Sequence, residues 1–192
     1  MMTMTTSLAN AVPAPACSAK APIRSAFAGV PLAAQALIDS PIGPLTALAT
    51  THGIAGLWFD AQAHHPGALA APVDAGQAHI VALRRWLDAY WAGAEPAPHG
   101  VALDLHGSPF QLAVWQALLA IGFGRTCSYG QLAAKVGPAA VARATGAAVG
   151  RNPVSILVPC HRVIGADGSL TGYAGGLPRK QHLLLHEGVL LA

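Results

Sequence analysis

The sequence predicts an α+β fold in two parts, and three patterns support this prediction. Short apolar runs flank a Gly-containing turn within residues 46–59, which is typical of a β-hairpin. Farther along, two capping-box sequences mark helix starts, and an Ala-rich stretch follows them. We therefore expect a disordered tail at residues 1–36, a small α/β domain at residues 37–105, and a helical domain with a helix-turn-helix at residues 106–192.

Composition limits the class of protein. A chain of 192 residues with 53% hydrophobic side chains is long enough for one domain or two small ones. No apolar run approaches the roughly 18 residues that a membrane helix needs, so we expect no membrane association. The three cysteines, Cys17, Cys127 and Cys160, are odd in number and lack CxxC spacing. Free thiols in a reducing compartment are therefore expected, which favours the cytoplasm.

Charge is distributed unevenly along the chain. Residues 1–100 carry four basic and five acidic side chains, whereas residues 101–192 carry seven basic and three acidic ones. A basic second half suits a polyanionic partner, although a surface with four excess positive charges is common.

The first 36 residues are rich in Ala, Pro, Ser and Thr, and no acidic residue precedes Asp39. This composition resembles an organellar presequence, but it is also typical of a segment that forms no packed core. A secretory signal is not expected, because no continuous apolar region follows a charged start. Of these alternatives we favour the disordered tail.

The first half contains the elements of a small domain without catalytic residues. Strands are expected at residues 46–50, 54–59 and 101–105, and an amphipathic helix at residues 77–91, where apolar residues recur every three or four positions. The His-His pair at 64–65 resembles half of a metal site. No second cluster has ligand spacing, so we expect exposed loop histidines and no bound metal.

The second half is predicted to be mostly helical. Helices are expected to begin at the capping boxes of residues 108–111 and 128–131, a third is expected at residues 139–149, and a last one at residues 178–187. Nearly every side chain of the third helix is small, and Arg143 is its one long cation. Either this helix packs tightly against its neighbours with Arg143 in solvent, or it approaches a nucleic-acid backbone with Arg143 projecting into the base stack.

The most informative stretch surrounds Cys160. The apolar run at residues 155–158 predicts a short buried strand, which Pro159 should end because it cannot donate to a sheet ladder. A lone cysteine is most often a buried small hydrophobe. Here His161 and Arg162 follow, and cationic neighbours lower a thiol pKa and favour the thiolate. Adjacent residues of an extended segment point to opposite faces, so either the backbone turns sharply or a water carries the proton.

The motif Pro-Cys-His-Arg-Val at residues 159–163, with Asn-Pro at 152–153 and Gly-Tyr-Ala-Gly-Gly at 172–176, closely resembles the active-site signature of the O6-alkylguanine-DNA alkyltransferases, also called methylated-DNA–protein-cysteine methyltransferases. The resemblance is strong over residues 107–188 and weaker over residues 38–104. It is absent before about residue 36.

The resemblance implies a ribonuclease-H-like first domain and a winged-helix-like, DNA-binding catalytic domain. It implies a monomeric protein that acts on double-stranded DNA containing O6-alkylguanine. A methyl or alkyl group would pass from O6 of guanine, and also from O4 of thymine, to the thiolate of Cys160. The resulting thioether is inert, so each molecule would act once, without a cofactor.

The resemblance also implies roles for individual residues. Cys160 would accept the alkyl group, His161 would deprotonate it through a water, and Glu187 would orient the imidazole. Tyr129 would protonate the departing purine, and Asn152 would fix the turn before the reactive segment. Without the resemblance, each of these residues has an ordinary interpretation. Glu187 would be an acidic residue near a helix end, Tyr129 a surface aromatic and Asn152 a turn residue.

Two further sets follow from the resemblance. Relatives insert the Ala-rich helix into the minor groove and fill the gap left by a flipped base with the matching arginine. The DNA-contacting residues would be Tyr129, Ala142, Arg143, Thr145, Gly146 and Arg151. The flipped base would be bound by Val158, Pro159, Tyr173 and Ala174. Some relatives have Ser where this chain has Ala174, so a hydroxyl contact to the base is lost here.

Other functional classes fit less well. A non-enzymatic lesion-recognition protein of the same type would lack the cysteine, and Cys160 is present. A transcriptional sensor would need a cysteine-rich metal site, and the first hundred residues contain only Cys17. In a Cys-His hydrolase the two side chains touch directly, which the adjacent spacing disfavours. Cys127, which follows Arg125 and Thr126, is expected to be buried and inert.

Overall fold

The computed structural model describes residues 27–137 and 142–190. The first half consists of three strands and a helix, β1 (Leu32–Ile38), β2 (Leu45–Thr50), β3 (Ile54–Phe59) and α1 (Ala78–Trp91). Within the described ranges no helix has both the length and the apolar character needed to cross a bilayer.

The strands form one antiparallel sheet in the order β1-β2-β3, in which Leu45 pairs with both Ile38 and Phe59. All six residues of β3 are buried, so the central hairpin carries apolar side chains on both faces. Helix α1 packs on this sheet, and five of its side chains are buried, namely Ile80, Leu83, Trp86, Leu87 and Tyr90. The predicted hairpin and helix are therefore confirmed.

Two predictions about this half are wrong. The sheet begins at Leu32, so the segment assigned to a disordered tail at residues 1–36 includes most of β1. Pairing with β2 overrides the weak strand propensity of an Ala-rich segment. Residues 1–26 lie outside the described ranges. The strand expected at residues 101–105 is reduced to one bridge between Leu103 and Ile54.

The second half contains the elements α2 (Pro109–Leu119), β4 (Cys127–Ser128), α3 (Tyr129–Val136), α4 (Ala142–Gly150), β5 (Val163–Ile164) and α5 (Leu177–His186). Both predicted capping boxes are present at the starts of α2 and α3. The predicted third helix corresponds to α4, and its expected first turn at residues 139–141 lies outside the described ranges.

Helices α2, α3 and α4 pack against one another, and the indole N–H of Trp115 on α2 donates to the Ala148 carbonyl of α4 at 2.9 Å. Strands β4 and β5 pair in parallel, with Cys127 opposite Val163 and Ser128 opposite Ile164. This pairing places the start of α3 beside the segment that follows Cys160.

The two halves share one continuous apolar core. Leu57 in the middle of β3 donates its N–H to the Pro153 carbonyl and accepts from the Ser155 N–H, both at 2.8 Å. On the other side, Arg179 of α5 donates to the Ile42 carbonyl at 3.1 Å. The sheet thus supports the turn that leads to Cys160. The division into domains at residue 105 stays a prediction.

Candidate active site

The segment before Cys160 is buried as expected, but it is a turn and not a strand. The Val158 N–H donates to the Val154 carbonyl at 3.0 Å, and Ile156 has φ of 70°. A β-branched residue seldom adopts this left-handed conformation, so the surrounding contacts must hold it there. A short apolar run does not by itself distinguish a strand from a buried turn, which explains the wrong prediction.

Asn152 holds this turn with both ends of its side-chain amide. Its oxygen accepts from the Val154 N–H at 3.0 Å, and its nitrogen donates to the Val158 carbonyl at 2.7 Å. The same nitrogen lies 3.0 Å from the sulfur of Cys160 and donates to it. One buried amide therefore fixes the backbone and contacts the sulfur directly.

Cys160 begins a single turn of 3-10 helix, Cys160–Arg162, and is only 3% exposed. Burial raises the pKa of its thiol to about 11, although the Asn152 amide and the Lys180 ammonium oppose the rise. The expectation that flanking cations lower this pKa is wrong, because burial dominates the shift and Arg162 pairs with Glu187. The backbone turns sharply here, which is one of the two alternatives left open by the sequence.

His161 is fully buried, and its Nε2 lies 2.8 Å from Oε1 of Glu187. Its Nδ1 is buried without a hydrogen-bond partner in the described part of the chain. Burial lowers the pKa of His161, against the raising effect of Glu187, so the imidazole is neutral near pH 7. With the Nε2 proton donated to the carboxylate, Nδ1 is left as a proton acceptor.

Glu187 is surrounded by donors from three other parts of the chain. Arg162 donates through Nε to Oε2 at 2.8 Å and through a terminal nitrogen to Oε1 at 2.9 Å. The Tyr90 hydroxyl donates to Oε1 at 2.9 Å, and the Gly124 N–H lies 3.4 Å from Oε2. Burial alone would raise the pKa of Glu187, but the bonds from His161 and Arg162 lower it to about 2.

Two tyrosines and a lysine lie around the sulfur. The hydroxyl of Tyr129 is 3.2 Å from the carbonyls of both Thr171 and Gly172. The hydroxyl of Tyr173 is buried without a partner among the described residues. Burial raises the pKa of each phenol, and the Cys160 sulfur raises it further. The site thus brings together a thiol, a neutral imidazole, an oriented carboxylate and two protonated phenols.

Lys180 was not identified from the sequence. Its side chain is buried, and its ammonium donates to the carbonyls of Val163 and Thr171 at 2.6 and 2.7 Å. Burial lowers the pKa of Lys180 to about 8, and Cys160 opposes this shift. A lysine on an amphipathic helix is usually solvated, so the sequence did not distinguish Lys180 from a surface residue.

Comparison with known proteins identifies the family. Residues 109–189 match the DNA-binding domain of 6-O-methylguanine DNA methyltransferase. The methylated-DNA–protein-cysteine methyltransferase of Mycobacterium tuberculosis strain H37Rv is 48% identical over 147 residues, which are 77% of this chain and 87% of the relative. The chain belongs to the 6-O-methylguanine DNA methyltransferase family.

Other members of the methyltransferase family also match this chain in sequence and in structure. The Salmonella typhimurium methylated-DNA–protein-cysteine methyltransferase is 65% identical over 102 residues, 53% of this chain and 60% of that protein. The crystal structure of Mycobacterium tuberculosis OGT in complex with DNA matches with a TM-score of 0.74 and 44% identity, covering 81% of this chain and 93% of that one. The archaeal enzyme from Pyrococcus kodakaraensis matches with a TM-score of 0.59 at 22% identity, which shows a shared mixed α/β fold alone.

The residues predicted to contact DNA in this methyltransferase family member differ in their exposure to solvent. Ala142 and Arg143 are exposed in the first turn of α4, and Arg151 is exposed just beyond it. A Cβ on Gly146 would lie 3.8 Å from the Tyr129 ring, so the two elements are in close approach there. Thr145 is completely buried, and its prediction as a DNA contact is therefore wrong. At helical spacing it faces the core.

The residues predicted to bind the flipped base lie on both sides of the sulfur. Val158 and Pro159 are buried directly before it. Ala174 is half-buried, and its carbonyl accepts from the Ala63 N–H at 2.9 Å, which ties the glycine-rich loop to the first half of the chain. Cys127 is a free, buried cysteine whose pKa is raised by burial, as expected for an unreactive thiol.

Proposed function

We propose that this chain repairs DNA by direct transfer of a methyl or larger alkyl group from O6 of guanine to the sulfur of Cys160. The same transfer from O4 of thymine is part of the proposal. The observation that carries it is the arrangement around Cys160: the Asn152 amide lies 3.0 Å from the sulfur, and the next residue, His161, carries a buried imidazole that pairs with Glu187 at 2.8 Å. The names of the relatives, which describe methylated DNA and a protein cysteine, support the same reaction.

The reaction forms a bond from sulfur to the alkyl carbon and breaks the bond from that carbon to O6. The electron pair of the broken bond stays on guanine, which takes a proton from the Tyr129 hydroxyl. The thiol proton passes through a water to Nδ1 of His161, the atom without a partner in the described structure. Release of this proton and reprotonation of Tyr129 by solvent complete the balance. The thioether is inert, so each molecule acts once and needs no cofactor.

The high pKa of Cys160 gives the order of events. Burial favours the thiol in the free protein, so the proposal places ionisation of the sulfur at the arrival of the base. The Asn152 amide and the ammonium of Lys180 are the groups that favour the thiolate once it forms. Keeping the sulfur protonated until then also protects it from unrelated electrophiles.

DNA is proposed to bind along α4 through the minor groove. Two observations support this: Ala142 is small and exposed, which suits a close approach of the helix to the duplex, and Arg143 is exposed beside it, which suits filling the space of a flipped base. The two halves of the chain are proposed to be a ribonuclease-H-like domain and a winged-helix-like domain. A sheet covered by α1 suits a ribonuclease-H-like domain, and α2 to α4 with the β4–β5 pair suit a winged-helix-like one.

The protein is also proposed to act as a monomer in the cytoplasm. The described cysteines, Cys127 and Cys160, are free thiols, which suits a reducing compartment.

The proposed function is tested by mass measurement. After one exposure to a duplex containing O6-methylguanine, the intact protein is expected to gain the mass of one methyl group, and peptide mapping is expected to place it on Cys160. Cys127 is the internal control, because it is a second free thiol that should stay unmodified. Recovery of the methyl group on any other residue, or no gain in mass, would overturn the proposal.

Replacement of Arg143 by alanine is expected to slow repair of duplex DNA by about 10-fold or more, since filling the gap offsets a few kcal/mol of unstacking. Reaction with the free base analogue benzylguanine needs no flipping and should change by less than about twofold. The measurement is a pair of second-order rate constants. Arg84→Ala, which removes an equal charge from the exposed face of α1, is the matched control. Equal slowing with both substrates would contradict the assignment.

A further inference from the structure

A tyrosine from the first half of the chain takes part in the reactive site. The hydroxyl of Tyr90 on α1 donates to Oε1 of Glu187 at 2.9 Å, across a separation of 97 residues. Oε1 is the same atom that lies 2.8 Å from Nε2 of His161. Helix α1 therefore reaches the carboxylate that orients the imidazole, although the sequence of this half contains nothing that resembles a catalytic motif.

Packing explains the ring of Tyr90 but not its hydroxyl. The ring is completely buried, stacked on Trp86 at 5.5 Å and edge-on to Trp91 at 5.0 Å. It also lies 4.9 Å from the ring of His186. A phenylalanine would make these apolar contacts equally well. The hydroxyl adds a buried polar group, and its partner is the carboxylate of the reactive site.

Three donors share Oε1, namely Tyr90, His161 and Arg162. Each hydrogen bond withdraws negative charge from a carboxylate oxygen and weakens it as an acceptor for the others. A carboxylate that lost the phenol would bind the N–H of His161 more strongly. The imidazolium form would then be favoured, and the imidazole would be a less available proton acceptor at neutral pH.

We propose that Tyr90 is a positioning residue for alkyl transfer, which fixes the Glu187 carboxylate and limits its attraction for the His161 proton. This proposal rests on the proposed function, in which Nδ1 of His161 receives the thiol proton. It assigns to the first half of the chain a direct part in setting the reactivity of the sulfur, in addition to mechanical support.

The other titratable and charged groups around the Glu187–His161 pair come from several elements. In the described structure Arg162 contacts the carboxylate from the reactive turn, Lys180 acts on the imidazole from α5, and Tyr173 senses Glu187 from the glycine-rich loop. His186 contacts Tyr90 from the end of α5. Removal of the phenol oxygen alters none of these groups chemically, so a change in the pH profile is assigned to that oxygen.

The test is the pH dependence of the reaction of Tyr90→Phe with benzylguanine. The acid limb of the rate is expected to move to higher pH by about half a unit, which makes transfer about threefold slower below the midpoint and nearly unchanged above it. A loss of stability alone would lower the amplitude of reaction at every pH without moving the limb. If Tyr90→Phe does not fold, site-specific 3-fluorotyrosine at position 90, a stronger donor, should move the limb to lower pH.

The matched control is Trp91→Phe. Trp91 packs edge-on against Tyr90, and its indole N–H has no partner in the described structure, so its truncation disturbs the same apolar cluster without altering the donors of Glu187. A profile of Tyr90→Phe that overlays the wild type, or an equal shift in Trp91→Phe, would overturn the role of Tyr90 while leaving alkyl transfer established. Failure of the wild type to transfer at all would instead reject the proposed function.

Discussion

Replacing Cys160 by alanine is expected to abolish alkyl transfer, with a loss of at least about 10⁴-fold, while binding to DNA stays within about twofold of the wild type. The sulfur is the atom to which the new bond forms, and the other free thiol of the described chain, Cys127, is buried on β4 with a raised pKa. The exposed start of α4, which is proposed to bind DNA, is unchanged by the substitution. The measurements are transfer from methylated duplex DNA and fluorescence anisotropy with the same duplex.

Cys127→Ala is the control for this result, since it removes a thiol of similar burial and should transfer normally. A Cys160→Ala protein that still accepted the methyl group would show that another residue is the acceptor. A variant that no longer bound DNA would show that the sulfur is needed for recognition, contrary to its 3% exposure. Wild-type protein that bound lesions without transfer would instead favour the non-enzymatic class of lesion-recognition proteins.

Replacing Glu187 by alanine is expected to lower the free energy of unfolding by about 3–5 kcal/mol, because it leaves the buried Arg162 guanidinium without its counter-charge. Arg162 is 7% exposed, and two of its nitrogens bond to this carboxylate. His161 and Tyr90 lose an acceptor in the same step. Urea denaturation measures the change. Glu95→Ala, at an exposed position of the loop after α1, is the control and should cost less than about 0.5 kcal/mol.

The same carboxylate makes stability depend on pH in a defined direction. The pKa of Glu187 falls from an ordinary 4.5 to about 2 in the folded chain, because bonds from His161 and Arg162 outweigh the raising effect of burial. Its stabilisation is therefore complete above pH 4.5 and is lost as the pH falls towards 2. Glu187→Gln should flatten this part of the stability curve. An unchanged acid limb in that variant, or a cost below about 1 kcal/mol for Glu187→Ala, would contradict the described network.

The elements that the sequence predicts well are those with local signals. The capping boxes at Ser108 and Ser128 satisfy helix N–H groups within four residues, so their meaning does not depend on the rest of the fold. Strand β1 was missed because its stability comes from pairing with β2, and its Ala-rich residues carry little strand propensity. The turn at Ile156 was missed for a related reason, since only distant contacts hold a β-branched residue at positive φ.

The sequence motif predicted the identity of the main site residues but not their electrostatic environment. The motif identified the residues Cys160, His161, Asn152 and Glu187, and the structure brings all four together. It did not give the direction of the thiol pKa, because burial dominates the shift and burial is a property of the packed chain. Tyr90 occupies an apolar position of α1 and could not be distinguished from a core aromatic. Thr145 was misplaced because the motif carries no information about which face of α4 is turned inward.

The backbone pairing of Leu57 with Pro153 and Ser155 bears on how this chain can be divided. A fragment that began at residue 106 would keep every helix of the second half and the cysteine itself. It would nevertheless leave one carbonyl and one N–H of the reactive loop in need of water, and would expose Val154, which is fully buried in the whole chain. A fragment without the first half would thus lack the edge of β3 that binds this loop. A shortened protein would need other groups to make the same hydrogen bonds and apolar contacts.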